Sequence, residues 1–438
     1  MTIRPWTIDR YPPLFTPSIH WPVDLWRAAR LVPGQKRSHP ERSSPVKTPL
    51  AHCLLAAVLL CTPTCGPGSG GPETGSSRTG LFQQTDVFVA GQDGISQFRI
   101  PVLLTSTRGT LLAFCDARVD KPGDPPNNID LVMKRSTDQG RTWGPLQVLL
   151  DVGEGATADS CGLVDRRTGT IWIFTVYCPV GVGTRTAKPG LSGDTFMYWA
   201  IKSTDDGLTW SDRIDLTPMF KKAEWNSGSP GPGKGMQMRS GRLVVPKYFV
   251  KEGYSASHVV FSDDHGETWT IGGEAFTNGT TNESQVAELS DGTLLLNMRG
   301  TEGNRRRISR STDGGMSWAK VSLDPALIEP RCQASLSNFT NRLDHDRDRL
   351  LFSNPAALER RNMTVRLSYD EGRSWPVSRQ IHAGPSAYSC LTVLPDLTAG
   401  CLYERGDQSP YERITFARFD LAWLTHGKDS LENTDGSP

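Results

Sequence analysis

The sequence has almost no excess of charge of either sign. Its 438 residues include 48 Lys and Arg against 47 Asp and Glu, a formal net charge of +1. This balance excludes a global field that would attract nucleic acid or an anionic membrane surface, so binding of an anionic ligand would depend on local arginines. We therefore predict no nucleic-acid partner.

Metal-binding motifs and helical periodicity are also missing. Of the nine cysteines, the seven from Cys65 to Cys401 form no Cys-x-x-Cys pair and no Cys/His cluster, so neither a zinc site nor a dense disulfide framework is indicated. Residues 82–424 show no sustained helical repeat of apolar positions, and such a repeat is the main signal for helices. We expect no metal site and a globular part built from strands.

No apolar run is long enough to cross a bilayer, which needs about 20 residues in a helix. The run at residues 50–61 has twelve, and its basic and Gly/Ser-rich flanks are typical of an export signal, a buried helix being the alternative. We predict an N-terminal extension over 1–80, a globular domain over 81–426 and a polar tail over 427–438. The expected location is secreted or cell-envelope associated, or lysosomal in an animal source, without a stable membrane span.

The sequence does contain a repeat, the pattern Ser-x-Asp-x-Gly-x-Thr/Ser-Trp, here called the Asp box. The five boxes begin 67, 59, 49 and 57 residues apart, at Ser136, Ser203, Ser262, Ser311 and Ser368. An apolar, β-rich segment precedes each box, and a sixth such segment at residues 400–403 is followed by residues 413–419, which can close the structure. Six β-units of roughly 50 to 70 residues predict an all-β fold, a six-bladed β-propeller. A two-sheet sandwich would not explain the recurring turn.

The Asp box is best interpreted as a turn. Its Asp and Ser side chains can bond to nearby backbone N–H groups, its Gly supplies a positive φ, and its Trp packs against the sheet. A calcium or carbohydrate site at each turn is the alternative. We prefer the structural role because the turn alone already provides these side chains with their hydrogen bonds and packing contacts.

The segment Phe98-Arg99-Ile100-Pro101, together with the five boxes, resembles the exo-α-sialidases (neuraminidases) of the bacterial and animal type. The resemblance covers residues 81–424. It implies a propeller with its active site at the axis, a terminal sialic acid as the substrate, and no metal or organic cofactor.

The resemblance also implies three arginines that bind the carboxylate of sialic acid. By motif these are Arg99, Arg299 and Arg360, with the adjacent Arg361 left open as the third. Arginine suits this role because its planar fork matches a carboxylate bidentately and stays charged.

Tyr388, within Gly384–Ser389, matches the family's nucleophile. A neutral phenol meets less repulsion than a carboxylate at an anomeric carbon that already carries a carboxylate, and sialidases are known exceptions to carboxylate nucleophiles. Since an unperturbed phenol has a pKa of about 10, Tyr388 needs a base. Glu283 matches the family's glutamate, and Glu288 has the right chemistry as well.

The general acid is expected in the loop at residues 119–129, where the family has an aspartate. Spacing back from Lys134-Arg135-Ser136 favours Asp124, with Asp130, just beyond the loop, next; Asp120 also lies in the loop. The alternative for a loop aspartate is a turn-forming side chain.

Two further positions match the family. Glu404 resembles the glutamate that orients the first arginine, a partner that holds a guanidinium in one rotamer. Arg118 matches an active-site position that contacts sugar hydroxyls.

The predicted activity is retaining hydrolysis of terminal α-linked sialic acids from glycoproteins, glycolipids or oligosaccharides. One alternative is a trans-sialidase or intramolecular trans-sialidase, which shares these residues. The other is a non-catalytic Asp-box propeller that binds glycoconjugates, against which the complete residue set argues. Sialylated glycans are the predicted partners, and the sequence sets no oligomeric state.

Overall fold

The structure, a computed structural model, describes residues 80–275 and 280–431, and its regular structure is almost entirely β. Within those ranges, no helix has the length and apolar character needed to span a membrane. The predicted export segment at 50–61 and residues 432–438 of the predicted tail lie outside the described residues.

The strands are short and follow one another closely along the chain. The first twelve are β1 (Phe82–Val89), β2 (Gln97–Thr105), β3 (Leu111–Arg118), β4 (Ile129–Ser136), β5 (Gln147–Leu150), β6 (Ala156–Val164), β7 (Ile171–Cys178), β8 (Met197–Ser203), β9 (Ile214–Asp215), β10 (Gly233–Lys234), β11 (Met236–Gln237) and β12 (Leu243–Lys251). The others in the described ranges are β13 (Tyr254–Ser262), β14 (Thr270–Ala275), β15 (Thr281–Glu288), β16 (Leu294–Gly300), β17 (Arg305–Ser311), β18 (Ser322–Ile328), β19 (Ser335–Thr340), β20 (Arg349–Pro355), β21 (Arg361–Ser368), β22 (Val377–Val393), β23 (Ala399–Arg405) and β24 (Arg413–Phe419). Helices α1 (Thr217–Phe220) and α2 (Leu421–Thr425) are single turns.

The pairing of these strands divides the fold into six groups. Groups 1 to 4 are β2–β5, β6–β9, β11–β14 and β15–β18. Group 5 contains β19, β20, β21 and the first half of β22, and group 6 contains the second half of β22 with β23, β24 and β1. In group 6 the first strand of the chain pairs antiparallel with the last, Phe82 opposite Phe419. The chain thereby closes on itself.

The six apolar segments seen in the sequence are all strands, namely β3, β7, β12, β16, β20 and β23. Each is the second strand of its group and so has a neighbour on either side. In β3 every residue is buried, which explains why these strands read as continuous apolar runs bounded by turns rather than as alternating patterns.

The five Asp boxes are turns that use their own carboxylates. In the first box, Asp138 Oδ1 accepts hydrogen bonds from Ser136 Oγ (2.8 Å) and Thr142 N (2.9 Å), and Oδ2 accepts one from Thr142 Oγ1 (2.6 Å). The same three bonds recur in the other four boxes. The bonds from Thr142 lower the pKa of Asp138 to about 2. The boxes therefore have a structural role.

The box glycines also join neighbouring groups. Gly140 has a φ of 84°, and a Cβ at this position would lie 2.1 Å from the Phe416 ring of group 6. Gly207 of group 2 approaches Leu112 of group 1 in the same way. Glycine is needed here both for its left-handed conformation and for the close approach. The first box therefore contacts the last group, as the second box contacts the first group.

Most of the first strands of the groups, here called the inner strands, lie side by side. Strand β2 lies next to β6 and β22, and β19 lies next to β15 and β22, whereas in group 3 it is the second strand, β12, that lies next to β15. Arg99, Glu283 and Tyr388 lie early in β2, in β15 and in the second half of β22, respectively. Thr105, Glu288 and Thr392 lie late in the same three segments. The first three side chains therefore meet at one end of the inner strands, and the others lie at the opposite end.

The packed region extends past residue 426, where the sequence suggested a polar tail. Asp429 is buried, and its two carboxylate oxygens accept hydrogen bonds from Arg349 Nε and Nη2, both at 2.8 Å. Leu431 packs against the neighbouring hydrophobic cluster.

Candidate active site

The hydroxyl of the predicted nucleophile, Tyr388, is in direct contact with two of the predicted site residues. Its hydroxyl donates a hydrogen bond to Glu283 Oε1 and accepts one from Arg299 Nη1 at 2.9 Å. The same Arg299 nitrogen donates to Glu283 Oε2 at 2.7 Å. Tyr388 and Glu283 are each only 6% exposed. A phenol, its candidate base and a cation thus form one buried network across groups 4 and 6.

The surroundings of Tyr388 favour the neutral form of its phenol. Burial, followed by the negative charge of Glu283, raises the pKa of Tyr388 well above its usual value, while Arg299 and Arg360 act in the opposite direction. Because the hydroxyl donates to the Glu283 carboxylate, this carboxylate is in position to accept the proton as a new bond forms to the phenolic oxygen.

Glu404 holds both Arg99 and the backbone of Tyr388. Its Oε1 accepts hydrogen bonds from Arg99 Nε (2.6 Å) and Ile100 N (2.8 Å), and its Oε2 accepts one from Tyr388 N (2.9 Å). Glu404 is fully buried, where an unpaired charge would be costly. Glu404 is predicted to orient Arg99, and in this geometry it also holds the backbone of the candidate nucleophile, Tyr388.

The backbone at Ile100 is strained. This β-branched residue has a φ of 62°, a conformation that costs of order 1–3 kcal/mol and persists only where surrounding contacts enforce it. The register of β2 against β3 shifts between Arg99 and Val102. The bond from Ile100 N to Glu404 stabilises the distortion that directs Arg99 toward Tyr388.

The geometry separates Arg360 from Arg361. The Arg360 guanidinium lies 5.5 Å from the centre of the Tyr388 ring, and its Nη1 donates to the Tyr411 hydroxyl at 2.7 Å. Arg361 is exposed at the start of β21. The Arg99 guanidinium in turn lies 4.0 Å from the centre of the Tyr411 ring. The arginines at 99, 299 and 360 therefore surround Tyr388, and Arg361 does not join them.

Asp124 lies in the loop between β3 and β4. Its Oδ1 accepts a hydrogen bond from Arg118 Nη2 at 2.5 Å, and its side chain is 78% exposed. Asn127 stabilises the loop by donating to the carbonyls of Lys121 (2.9 Å) and Gly123 (3.1 Å). Because Arg118 is buried, its hydrogen bond holds the accessible carboxyl group of Asp124 against the strand that carries Arg118, β3.

The alternative acid and the alternative base lie in other surroundings. Burial, followed by the negative charges of Asp151 and Asp120, raises the pKa of Asp130 to about 6. Glu288 lies at the end of β15, where its Oε2 accepts a hydrogen bond from the backbone N of Arg239 at 2.9 Å. Glu288 does not contact Tyr388, whereas Glu283 does, so the geometry favours Glu283 as the base. Asp130 is buried, whereas Asp124 is accessible and close enough to Asp159 to raise its pKa together with Glu283, so the geometry favours Asp124 as the acid.

Two acidic residues that the sequence did not single out belong to the same site. Asp116 is completely buried, and its Oδ2 accepts a hydrogen bond from Asp159 N at 3.3 Å. Burial, followed by the charges of Glu283 and Asp124, raises the pKa of Asp159 to about 7. Asp159 has a φ of 53° at a register shift in β6. No motif marks this bulge in the sequence, although Asp116 stands two residues before Arg118.

Two tyrosines complete the surroundings. Tyr411, between β23 and β24, contacts both Arg99 and Arg360. Burial, followed by the charges of Asp159 and Glu283, raises the pKa of Tyr248 above its usual value. Among the described residues, no group of three or more His, Cys, Asp or Glu side chains is arranged to hold a metal ion.

Comparisons with known proteins first define a class for this fold. The family described as "BNR repeat-like domain" matches residues 109–403. The chain is 38% identical to a sialidase of Micromonospora viridifaciens over 86% of its length, and 35% identical to a sialidase of Bacteroides fragilis over 75% of its length. The solved structure of the Hadza microbial sialidase Hz136 superposes with a TM-score of 0.71 at 36% identity, covering 76% of this chain and 68% of that one.

This chain belongs to the sialidase family. It spans 59% of the Micromonospora protein and 64% of the Bacteroides protein, so it corresponds to about six tenths of the length of these two relatives.

Proposed function

We propose that this protein is a retaining exo-α-sialidase that removes terminal α-linked sialic acids from glycoproteins, glycolipids or oligosaccharides. The observation that carries the proposal is the buried contact of Tyr388 with Glu283 and Arg299, which gives a phenol both a proton acceptor and a neighbouring cation. Membership of the sialidase family supports the choice of substrate.

We further propose that the six strand groups are the six blades of a β-propeller. Three observations support this: the groups have four strands each, most of their first strands lie side by side, and β1 completes the last group by pairing with β24. Radial repetition of four-stranded sheets around a central axis defines this architecture.

Substrate binding would begin with the carboxylate of the sialic acid. Arg99 is already paired with Glu404, and Arg299 with Glu283. Arg360 contacts only neutral acceptors in the described ranges, the Tyr411 hydroxyl and the Arg331 carbonyl. A substrate carboxylate beside Tyr388 would therefore satisfy the least compensated charge of the three while accepting bonds from the other two.

The chemical step follows from the positions of the acid, the nucleophile and the base. The phenolic oxygen of Tyr388 attacks the anomeric carbon as its proton passes to Glu283, and Asp124 protonates the departing glycosidic oxygen. In the second step the Asp124 carboxylate takes a proton from water, the water oxygen attacks the anomeric carbon, and Glu283 returns the proton to Tyr388. The two displacements at one carbon retain its configuration.

An assay of product release tests this function. We expect purified protein to liberate sialic acid from a fluorogenic α-sialoside, and proton NMR to show the α-anomer as the first product. Release of an anhydro sugar, or transfer to an added lactose acceptor, would assign the chain to the trans-sialidases. No release from any α-linked sialoside would favour a glycan-binding propeller.

The role of Asp124 is tested by varying the leaving group. Asp124→Asn should lower kcat/KM for sialyllactose about a hundredfold or more, since general acid catalysis contributes this much when the leaving group is a poor one. The loss should be much smaller for the activated aryl sialoside. Asp130→Asn is the matched control and should affect both substrates alike. A selective loss for sialyllactose in Asp130→Asn would transfer the acid role to that residue.

Location remains a prediction from residues 50–61. We propose that the protein acts outside the cytoplasm, in a secreted or cell-envelope form, or in the lysosome in an animal source.

A further inference from the structure

A second cavity lies at the end of the inner strands opposite Tyr388. Its volume is about 490 Å³, and its lining includes the late residues Thr105 of β2, Glu288 of β15 and Thr392 of β22. Arg99 and Glu283 lie early in the same strands. The cavity is therefore separate from the candidate active site.

A layer of backbone and amide side chains lies between the two sites. The carbonyl of Pro232 accepts hydrogen bonds from Gln285 Nε2 (3.0 Å) and Gln333 Nε2 (3.1 Å). Gln333 also bonds to the backbone of Ser389, next to Tyr388. Two residues beyond Pro232 the chain reaches Lys234, which lines the cavity. Gln285 and Gln333 are both almost completely buried. A ligand in the cavity would therefore not reach Tyr388.

The charges around the cavity do not balance. Its ionised lining residues are Arg166, Lys234 and Arg239 against Glu288 and Asp344, with His345 also present. Arg239 and Asp344 form an ion pair with each other. Two cations remain, Arg166 at the rim and Lys234 in the interior, against one carboxylate, that of Glu288.

Lys234 is the cation inside the cavity. Its Nζ donates a hydrogen bond to Ser337 Oγ at 2.9 Å, and it forms no ion pair within the part of the chain that the structure describes. Burial, and to a smaller extent the charge of Arg166, lower the pKa of Lys234. An ammonium group has three donors, and a half-buried one without a counter-charge is destabilised by lost hydration.

Arg166 stands at the entrance. It is exposed, and its Nη2 donates to the carbonyl of Gln237 at 2.8 Å. That bond holds the guanidinium at the rim, where the carboxylates of Glu288 and Asp344 also attract it, and its other N–H groups have no hydrogen-bond acceptor in the described ranges. A planar guanidinium and an ammonium that converge on one space form a receptor for an oxyanion.

We propose that this cavity is a second ligand site, which binds a small anion through a carboxylate or phosphate group held by Lys234, Arg166 and the Ser337 hydroxyl. A volume of 490 Å³ lies within the range of about 300–1,000 Å³ found for small-molecule sites. The anion supplies the counter-charge that Lys234 lacks. The proposal does not depend on the activity proposed above, since the glutamine layer separates the two sites.

Equilibrium dialysis with radiolabelled inorganic phosphate and, in parallel, acetate tests the proposal at low ionic strength. We expect one equivalent of phosphate, acetate or both to bind in a way that Lys234→Met weakens at least about tenfold, the loss of one charge-assisted contact. Arg99→Ala, a change in the candidate active site, should leave this equivalent in place. The anion that binds identifies whether the site takes phosphates, carboxylates or both.

A second pair of variants keeps the test decisive if Lys234→Met does not fold. Arg166→Gln should weaken the same binding several-fold, whereas the neighbouring Arg167→Gln should not, because Arg167 is exposed and directed to the carbonyls of Arg239 and Ser240. Absence of binding of either anion to the wild-type protein would overturn the proposal. So would binding that disappears in Arg99→Ala and persists in Lys234→Met and Arg166→Gln.

Discussion

Replacement of Tyr388 by phenylalanine is expected to lower kcat for a fluorogenic sialoside at least about a thousandfold, because removal of a covalent nucleophile abolishes most of the catalysis that depends on it. KM should change little, since Arg99, Arg299 and Arg360 remain to bind the carboxylate. The measurement is steady-state fluorescence release, with enzyme concentrations high enough to detect the residual rate.

The covalent role of Tyr388 has its own readout. Wild-type protein denatured during turnover should yield a peptide containing Tyr388 with the added mass of one sialyl group, and Tyr388→Phe should yield none. Tyr369→Phe is the matched control, because this tyrosine lies within the fifth Asp box and should leave kcat unchanged. Full activity in Tyr388→Phe would eliminate Tyr388 as the nucleophile.

The strands that the sequence reveals are those buried on both sides. Strand β3 reads as a continuous apolar run because all of its residues are buried. Strand β1 is harder to recognise, because four of its first five residues are polar and its partner β24 lies more than 300 residues later in the chain. The sequence suggested closure by residues 413–419, whereas in the structure β1 and β24 form the closing pair together.

The site residues likewise include some that the sequence predicts and others that it does not. Arg99, Glu283 and Tyr388 could be predicted because each stands in a local motif, and the structure brings them together at the early ends of inner strands. Asp159 and Tyr411 could not be predicted, because they reach the site through a backbone bulge and through a loop between strands. Such positions depend on local backbone geometry, which apolar patterns do not encode.

The choice between Arg360 and Arg361 depends on burial, which adjacent residues in a sequence cannot reveal. Arg360 approaches Tyr388, while its neighbour is exposed. A hydrogen bond to a charged group contributes about 1.5–3 kcal/mol, and each 1.4 kcal/mol is a factor of about ten in affinity. Arg360→Ala should therefore lower kcat/KM about a hundredfold, mainly through KM, while Arg361→Ala should stay within about twofold of wild type.

Inhibition constants can show that this loss concerns the substrate's carboxylate. Free sialic acid should inhibit the wild-type protein more strongly than its methyl ester, which lacks the negative charge, and Arg360→Ala should reduce this preference about tenfold or more. Arg361→Ala should keep the preference, because an exposed guanidinium contributes little to a buried contact. If the two variants exchanged these behaviours, Arg361 would be the third arginine. If neither changed the preference, the carboxylate would be bound by Arg99 and Arg299 alone, and the free charge of Arg360 would need another partner.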